Sequence, residues 1–232
     1  MNLLENVEQV KERIIKAQQR SGSRNSIEII AVTKTHPPET IEAVLKSGLN
    51  SIGENRIQEA ENKFAKIPNM LPKFTKRLVG HLQSNKINKA LQLFDTIDSV
   101  DSVKLAQKIG NRAVLESRVL PVLLEVNTSG ETAKFGFEPE NIDSLLACFD
   151  IEGIEIQGLM TVGPLTDDTK VIRRAFQALR GLLDKIKSQV QDEKATSELS
   201  MGMSNDFEIA VEEGATMVRL GTALFGPRST LR

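Results

Sequence analysis

Residues 27–48, IEIIAVTKTHPPETIEAVLKSG, join a strand pattern and a helix pattern within one short stretch. The run 27–34 is rich in isoleucine and valine, which favour strands. Residues 37–48 begin with two prolines and end with glycine, an arrangement typical of a short helix. This stretch therefore predicts a strand that is followed directly by a helix.

The same order repeats along the rest of the chain. Amphipathic helical patterns separate the strand patterns, most clearly at 167–190, and a further helical pattern at 2–22 precedes the first strand. Strands that alternate with helices form parallel sheets, because parallel neighbours need a crossover connection. Eight runs have strand character: 27–34, 50–55, 77–82, 94–100, 120–128, 154–162, 196–202 and 216–222.

Eight such units in 232 residues predict an α/β fold of the (β/α)8 TIM-barrel type with an extra N-terminal helix. The competing fold is an open doubly wound sheet, which normally has fewer strands and a glycine-rich first turn. The first turn here, TKTHPP at 33–38, contains no glycine, which favours the barrel. No linker-like composition divides the chain, so we expect a single domain over residues 1–232.

Composition argues against several classes of function. The formal net charge of −1 gives no global positive field for nucleic acid or an anionic membrane, and the basic cluster KFTKR at 73–77 is interpreted as a solvated loop. No apolar run is long enough to cross a bilayer. The N-terminus lacks a secretory pattern and the single cysteine, Cys148, cannot form an internal disulfide, so we expect a cytoplasmic protein. The chain also has no tyrosine, which excludes a phenol of its own as a general acid or base.

Lys34 ends the first strand run, at the edge where barrels place their active sites. Strand alternation would put it on the same face as Ile30 and Val32, above the barrel interior. Desolvation there would lower the pKa of its amine, as condensation with an aldehyde requires. Position alone favours an ordinary surface lysine over a reactive one.

The last two strand runs end in small and hydroxyl-bearing residues. SMGMS at 200–204 leads into a helix, and RLGTALFG at 219–226 brings Gly221 and Thr222. Barrels frequently bind phosphate after strands seven and eight, where backbone amides and a helix N-terminus converge. Arg219 shares a face with Gly221 and is expected to point inward, towards either a carboxylate such as Glu54 or a ring nitrogen of a ligand.

An amine, a phosphate site and a donor to a ring nitrogen together suit pyridoxal phosphate. A phosphosugar aldolase with a reactive lysine would share two of these three features.

The chain resembles the pyridoxal phosphate homeostasis protein family. Six segments that cover most of the chain beyond the first helix carry the resemblance: AVTKTHPPETI (31–41), GENRIQEAENK (53–63), VGHLQSNKI (79–87), LLEVNTSGETAKFGF (123–137), GLMTV (158–162) and LSMGMSNDFEIAVEEGATMVRLGTALFG (199–226). One departure is Arg77, where many relatives carry a histidine, and it weakens any inference about chemistry at the start of strand three.

The resemblance implies a barrel like the N-terminal domain of alanine racemase, with pyridoxal phosphate held as an imine on Lys34. It implies that Arg219 faces the pyridine nitrogen, that Asn55 lies near the ring or its hydroxyl, and that Met160 lines the ring face. His81 and Gln83 are expected to have packing roles, and Lys134 is either a secondary contact for the cofactor or a loop lysine on the rim. The residues expected around the phosphate are Ser200, Met201, Gly202, Ser204, Gly221 and Thr222.

The same features bear on whether the chain is an enzyme. A cation beside the pyridine nitrogen opposes ring protonation, which makes the cofactor a poorer electron sink. The second base of the alanine racemase pattern is a tyrosine from a partner's C-terminal domain, and this chain has neither. We therefore expect a protein that stores, buffers and delivers pyridoxal phosphate, with no catalytic residues and no metal.

Apo-forms of enzymes that use the cofactor are the expected partners of such a protein, and a monomer is the expected state. The alternative is a small enzyme resembling alanine racemase that pairs Lys34 with a base such as His81.

Overall fold

Eight parallel strands follow one another in chain order around a closed barrel in the computed structural model, which describes residues 2–67, 71–131, 133–190 and 196–227. Each strand overlaps its predicted run, so the predicted barrel is confirmed. The strands are β1 Glu28–Val32, β2 Ser51–Glu54, β3 Thr75–Leu78, β4 Thr96–Val100, β5 Leu120–Glu125, β6 Ile154–Met160, β7 Glu198–Ser200 and β8 Met217–Leu220.

Helices cover the outside of the barrel. They are α1 Leu3–Ser21, α2 Glu39–Lys46, α3 Ile57–Phe64, α4 Ile87–Leu93, α5 Val103–Leu115, α6 Ile142–Leu146, α7 Thr169–Lys187, α8 Phe207–Glu212 and α9 Thr222–Phe225, with a short 3-10 helix at Ser84–Lys86. None of the helices in the described ranges is long and apolar enough to cross a membrane.

The extra N-terminal helix, α1, is also confirmed. The Asn2 side chain caps it by accepting a hydrogen bond from the backbone amide of Leu4, and Gly22 ends it at a positive φ of 72°. The side-chain amide of Asn6 donates to the carbonyl oxygen of Leu224 at 2.7 Å, which fixes α1 against α9. The helix therefore covers the barrel beside β8.

The expected solvated loop at 73–77 is wrong in part, because β3 begins at Thr75 and Arg77 is buried. The guanidinium of Arg77 pairs with the carboxylates of Asp98 at 3.3 Å and Glu28 at 3.1 Å. Glu28 opens β1, so this network lies towards the amino ends of the strands. Inward carboxylates compensate the arginine, and local composition gave no sign of them.

Two separate apolar clusters form the core. The larger one fills the space between barrel and helices and contains Phe94, Phe176 and Phe207, which are fully buried. The smaller one lies inside the barrel, and we call it the lumen cluster. It consists of Ile30, Leu123, Met160 and Met217, with Val79 and Val162 packed against it. This cluster places an apolar surface in the barrel interior, among the strands whose carboxyl ends carry the expected site.

Candidate functional site

Lys34 lies in a turn beyond the end of β1 and is half-buried. The expected strand 27–34 is too long, because β1 stops at Val32. The direction of the lysine side chain is therefore set by the turn and not by strand alternation. The next residue, Thr35, has a positive φ of 68°, which is uncommon for a residue with a side chain.

The structure brings the turn of Lys34 next to the segment that follows β8. Strands β1 and β8 pair directly, with Ile30 opposite Arg219. The ring of His36 contacts the ring of Phe225 in α9, with centroids 4.6 Å apart. The expected lysine and the expected phosphate segment thus share one side of the barrel mouth.

Arg219 points into the barrel, as predicted. Its guanidinium donates to the carbonyl oxygen of Ser200 at 2.7 Å, the hydroxyl of Ser200 at 2.8 Å and the carbonyl oxygen of Thr161 at 2.6 Å. Burial lowers the pKa of Arg219, and the nearby carboxylates of Asp98, Glu125 and Asp206 oppose that shift.

The alternative that Glu54 accepts from Arg219 is wrong. A Cβ placed on Gly53 would lie 2.9 Å from Ile30 of the lumen cluster, so the position before Glu54 is the one that faces the lumen. Glu54 is buried on the opposite face of β2, where it accepts from the hydroxyl of Thr33 at 2.6 Å and pairs with Lys63.

Ser204 joins the two segments of the expected phosphate site. Its hydroxyl oxygen accepts from the backbone amides of Gly221 at 3.3 Å and Ala223 at 3.0 Å. Gly202 has a positive φ of 93°, and a Cβ there would lie 2.5 Å from the Cβ of Ala210, so this tight turn excludes a side chain. Thr222 is exposed at the start of α9.

Ser200 and Met201 are placed differently from the rest of that set. The hydroxyl of Ser200 accepts from Arg219 inside the barrel, which leaves its proton able to reach another acceptor. Met201 packs in the larger core cluster, and its amide donates to the carbonyl oxygen of Met217 at 3.1 Å. The side chain and the amide of Met201 are therefore both engaged within the protein.

The other expected contacts lie at the mouth or just below it. Met160 is fully buried in the lumen cluster, on the strand next to β7. Asn55 follows β2 at the rim, where its backbone packs so closely on Gly80 that a Cβ at Gly80 would lie 2.4 Å from the carbonyl oxygen of Asn55. Asn55, His81 and Gln83 line one cleft of about 730 Å³ between the segments that follow β2 and β3.

The loop after β5 contacts the rim on two sides. The ring of Phe135 stacks on His81 at a centroid distance of 3.8 Å, and Asp101 lies 3.0 Å from Nδ1 of the same imidazole. The amine of Lys134 donates to the carbonyl oxygen of Gly163 at 2.9 Å and pairs with Glu131 at 2.7 Å. These contacts place Lys134 on a loop at the rim.

Glu125 is a site residue that the sequence interpretation missed. It ends β5 two positions after Leu123 of the lumen cluster and lies opposite Met160 in the strand register, which directs its carboxyl into the barrel. Burial raises its pKa from 4.5 to about 7, with Arg219 lowering that value and Asp101 raising it further. Strand alternation in LPVLLEVN (120–127) contains this signal, because Leu123 and Glu125 share one face of the strand.

Comparison with known proteins places these features in a family. The family model described as alanine racemase, N-terminal domain, matches residues 5–229. The pyridoxal phosphate homeostasis protein of Aquifex aeolicus is 39% identical over 98% of this chain and 99% of its own, and that of Vibrio cholerae is 33% identical over 100% and 98%.

Solved structures show the same relationship. PipY of Synechococcus elongatus with PLP bound matches with a TM-score of 0.80 and 36% identity over 93% of this chain and 99% of its own. Alanine racemase of Clostridium difficile shares the fold at a TM-score of 0.74 and 18% identity, over 99% of this chain and 57% of its own. The chain therefore belongs to the pyridoxal phosphate homeostasis protein family, within the alanine racemase N-terminal domain fold.

Proposed function

We propose that this chain binds pyridoxal phosphate and keeps it available in the cytoplasm, by storing, buffering and delivering it, without turning over a substrate. The observation that carries the proposal is the Ser204 bridge, which joins the segments after β7 and β8 beside the turn of Lys34. Together with the family, this arrangement supports a phosphate site and a reactive amine at one mouth.

The residues present fit the cofactor. The hydroxyls of Ser204 and Thr222 suit a phosphate, because the Ser204 oxygen accepts from two backbone amides and keeps its own proton to donate. The apolar lumen cluster containing Met160 suits a ring face. Pyridoxal phosphate supplies an aldehyde, with which a lysine amine condenses with loss of water. In this proposal Lys34 provides that amine, Asn55 lies near the ring, and Arg219 faces the ring nitrogen.

We expect Arg219→Gln to raise the pKa of the ring nitrogen in the loaded protein by about one unit or more. The reason is that a nearby cation disfavours protonation of the ring. The measurement is a pH titration of the visible absorbance of the loaded protein. Arg77→Gln is the matched control, because Arg77 is also buried but lies towards the amino ends of the strands. Identical titrations of Arg219→Gln and the unmodified protein would place Arg219 away from the ring nitrogen.

Delivery is tested with loaded protein, a defined apo-enzyme that uses the cofactor, and an excess of a trap for free pyridoxal phosphate. Direct transfer predicts that the apo-enzyme gains activity in spite of the trap. Complete suppression by the trap would limit this chain to storage and buffering. We expect a monomer, which light scattering of the loaded protein measures.

A second candidate function, a racemase-like enzyme, is favoured by one observation. Asp101 contacts Nδ1 of His81, and such a contact orients an imidazole as it does in known general bases. Incubation of the loaded protein with L-alanine in deuterated water separates the two functions. Storage and delivery predict no exchange at Cα above that of free cofactor, whereas exchange that His81→Asn removes would favour the enzyme.

A further inference from the structure

Helix α3 contacts the backbone on both sides of Lys34. The amine of Lys63 donates to the carbonyl oxygen of Thr33 at 2.7 Å, and the carboxylate of Glu59 accepts from the backbone amide of Thr35. The first contact holds the peptide bond that precedes Lys34, and the second holds the one that follows it. The relative orientation of these two peptide planes is set by φ and ψ of Lys34 alone.

The two side chains of α3 are also tied to each other. Lys63 lies one turn after Glu59 and pairs with it at 3.3 Å, and it forms a second ion pair with Glu54. Glu54 in turn accepts from the hydroxyl of Thr33 at 2.6 Å. The turn of Lys34 is therefore held by one connected network, which we call the α3 bracket: Thr33, Glu54, Glu59, Lys63 and the amide of Thr35.

The α3 bracket is an unfavourable way to stabilise the fold, because it buries charged groups away from water. Lys63 and Glu54 are only 3% and 0% exposed, and charged groups taken out of water lose most of their favourable hydration. Among the described residues, Glu54 Oε2 is a buried oxygen with no hydrogen-bond partner. Well-packed apolar side chains would fill this space at no such cost, so the network is better explained by what it holds in place.

What it holds includes a strained residue. Thr35 has a φ of 68°, a left-handed conformation that is sterically unfavourable for a residue with a side chain. The contact of its amide with Glu59 retains that conformation. A relaxed Thr35 would rotate the chain at the neighbouring Lys34.

We propose that Glu59 and Lys63 are positioning residues that fix the backbone of Lys34 so that its amine stays at the barrel mouth. This inference rests on the proposed function, because it assumes that Lys34 is the residue that takes the aldehyde. The phosphate donors belong to a different part of the chain, after β7 and β8. Loss of the α3 bracket should therefore slow covalent attachment and leave phosphate-based binding intact.

The test compares two ligands. Pyridoxal phosphate reports covalent attachment. Its rate is measured from the amount of pyridoxyl group on Lys34 when the reaction is stopped with borohydride at successive times. Pyridoxine 5'-phosphate, which has no aldehyde, reports the remaining contacts through its Kd. We expect Glu59→Ala to slow attachment about tenfold, since small misplacements of reacting groups have effects of this order, and to change the Kd of pyridoxine 5'-phosphate less than about twofold.

Two further variants distinguish a loss of positioning from a folding defect. Glu59→Gln keeps an oxygen acceptor for the amide of Thr35 and is expected to retain most of the rate. Lys63→Met combined with Glu54→Leu removes both buried charges together, so that neither is left unpaired, and is expected to slow attachment as Glu59→Ala does. Glu42→Ala is the matched control, because Glu42 pairs with Lys46 at 2.7 Å on the exposed surface of α2.

The outcomes are distinct. Attachment at the unmodified rate in Glu59→Ala and in the double variant would overturn the positioning role. A parallel loss of pyridoxine 5'-phosphate binding would also overturn it, because a merely structural network would weaken both ligands. Failure of the unmodified protein to be labelled at Lys34 would instead refute the proposed function and the inference with it.

Discussion

We expect Lys34→Met to abolish covalent attachment of pyridoxal phosphate, with at least a hundredfold loss of the borohydride-fixed pyridoxyl group. A thioether cannot condense with an aldehyde, and methionine keeps the length and most of the apolar contacts of lysine. The measurement is peptide mass spectrometry after reduction of the loaded protein. Because the proposed phosphate donors lie after β7 and β8, the variant should still bind pyridoxine 5'-phosphate.

Lys134→Met is the matched control for this experiment. Lys134 also lies at the rim, but its amine is held by the carbonyl oxygen of Gly163 and by Glu131. We expect this variant to be labelled at Lys34 as fully as the unmodified protein. A label on Lys134 or elsewhere in the unmodified protein would refute the assignment of Lys34.

The barrel could be predicted from the sequence because its signals are local. Alternating strand and helix patterns define the number of units, and a count of eight leads to closure. Strand ends were less predictable. Thr33 and Lys34 continue the predicted strand run, but β1 stops at Val32, and the side chains that contact the backbone of the following turn come from α3.

The candidate site was predictable where its parts are neighbours in sequence or in strand order. Ser204 and Gly221 were expected together because they follow adjacent strands, and the structure joins them. Glu54 was misplaced because SIGE at 51–54 is buried along its whole length, so hydrophobicity does not reveal which residues face the lumen. Register between strands settles that question, and a single sequence does not contain it.

The buried carboxyl of Glu125 is expected to make the free energy of unfolding depend strongly on pH. Its pKa is about 7 in the folded protein and 4.5 in the unfolded chain, so between these values the unfolded state alone releases the proton. Stability contributed by this position is therefore intact below about pH 4.5, falls as pH rises through that window, and is constant above pH 7. A shift of this size corresponds to a loss of up to about 3 kcal/mol.

We therefore expect Glu125→Gln to gain up to about 3 kcal/mol in free energy of unfolding relative to the unmodified protein as pH rises from 4.5 to 8. The carboxamide has a similar shape and does not titrate, so the difference between the two proteins isolates this carboxyl from all other groups. Urea unfolding of the cofactor-free proteins at several pH values measures it. Glu155→Gln, an exposed position on the adjacent strand β6, is the matched control. If the difference between Glu125→Gln and the unmodified protein stays constant over this range, burial does not raise the pKa of Glu125. Its carboxyl would then not lie in the barrel interior.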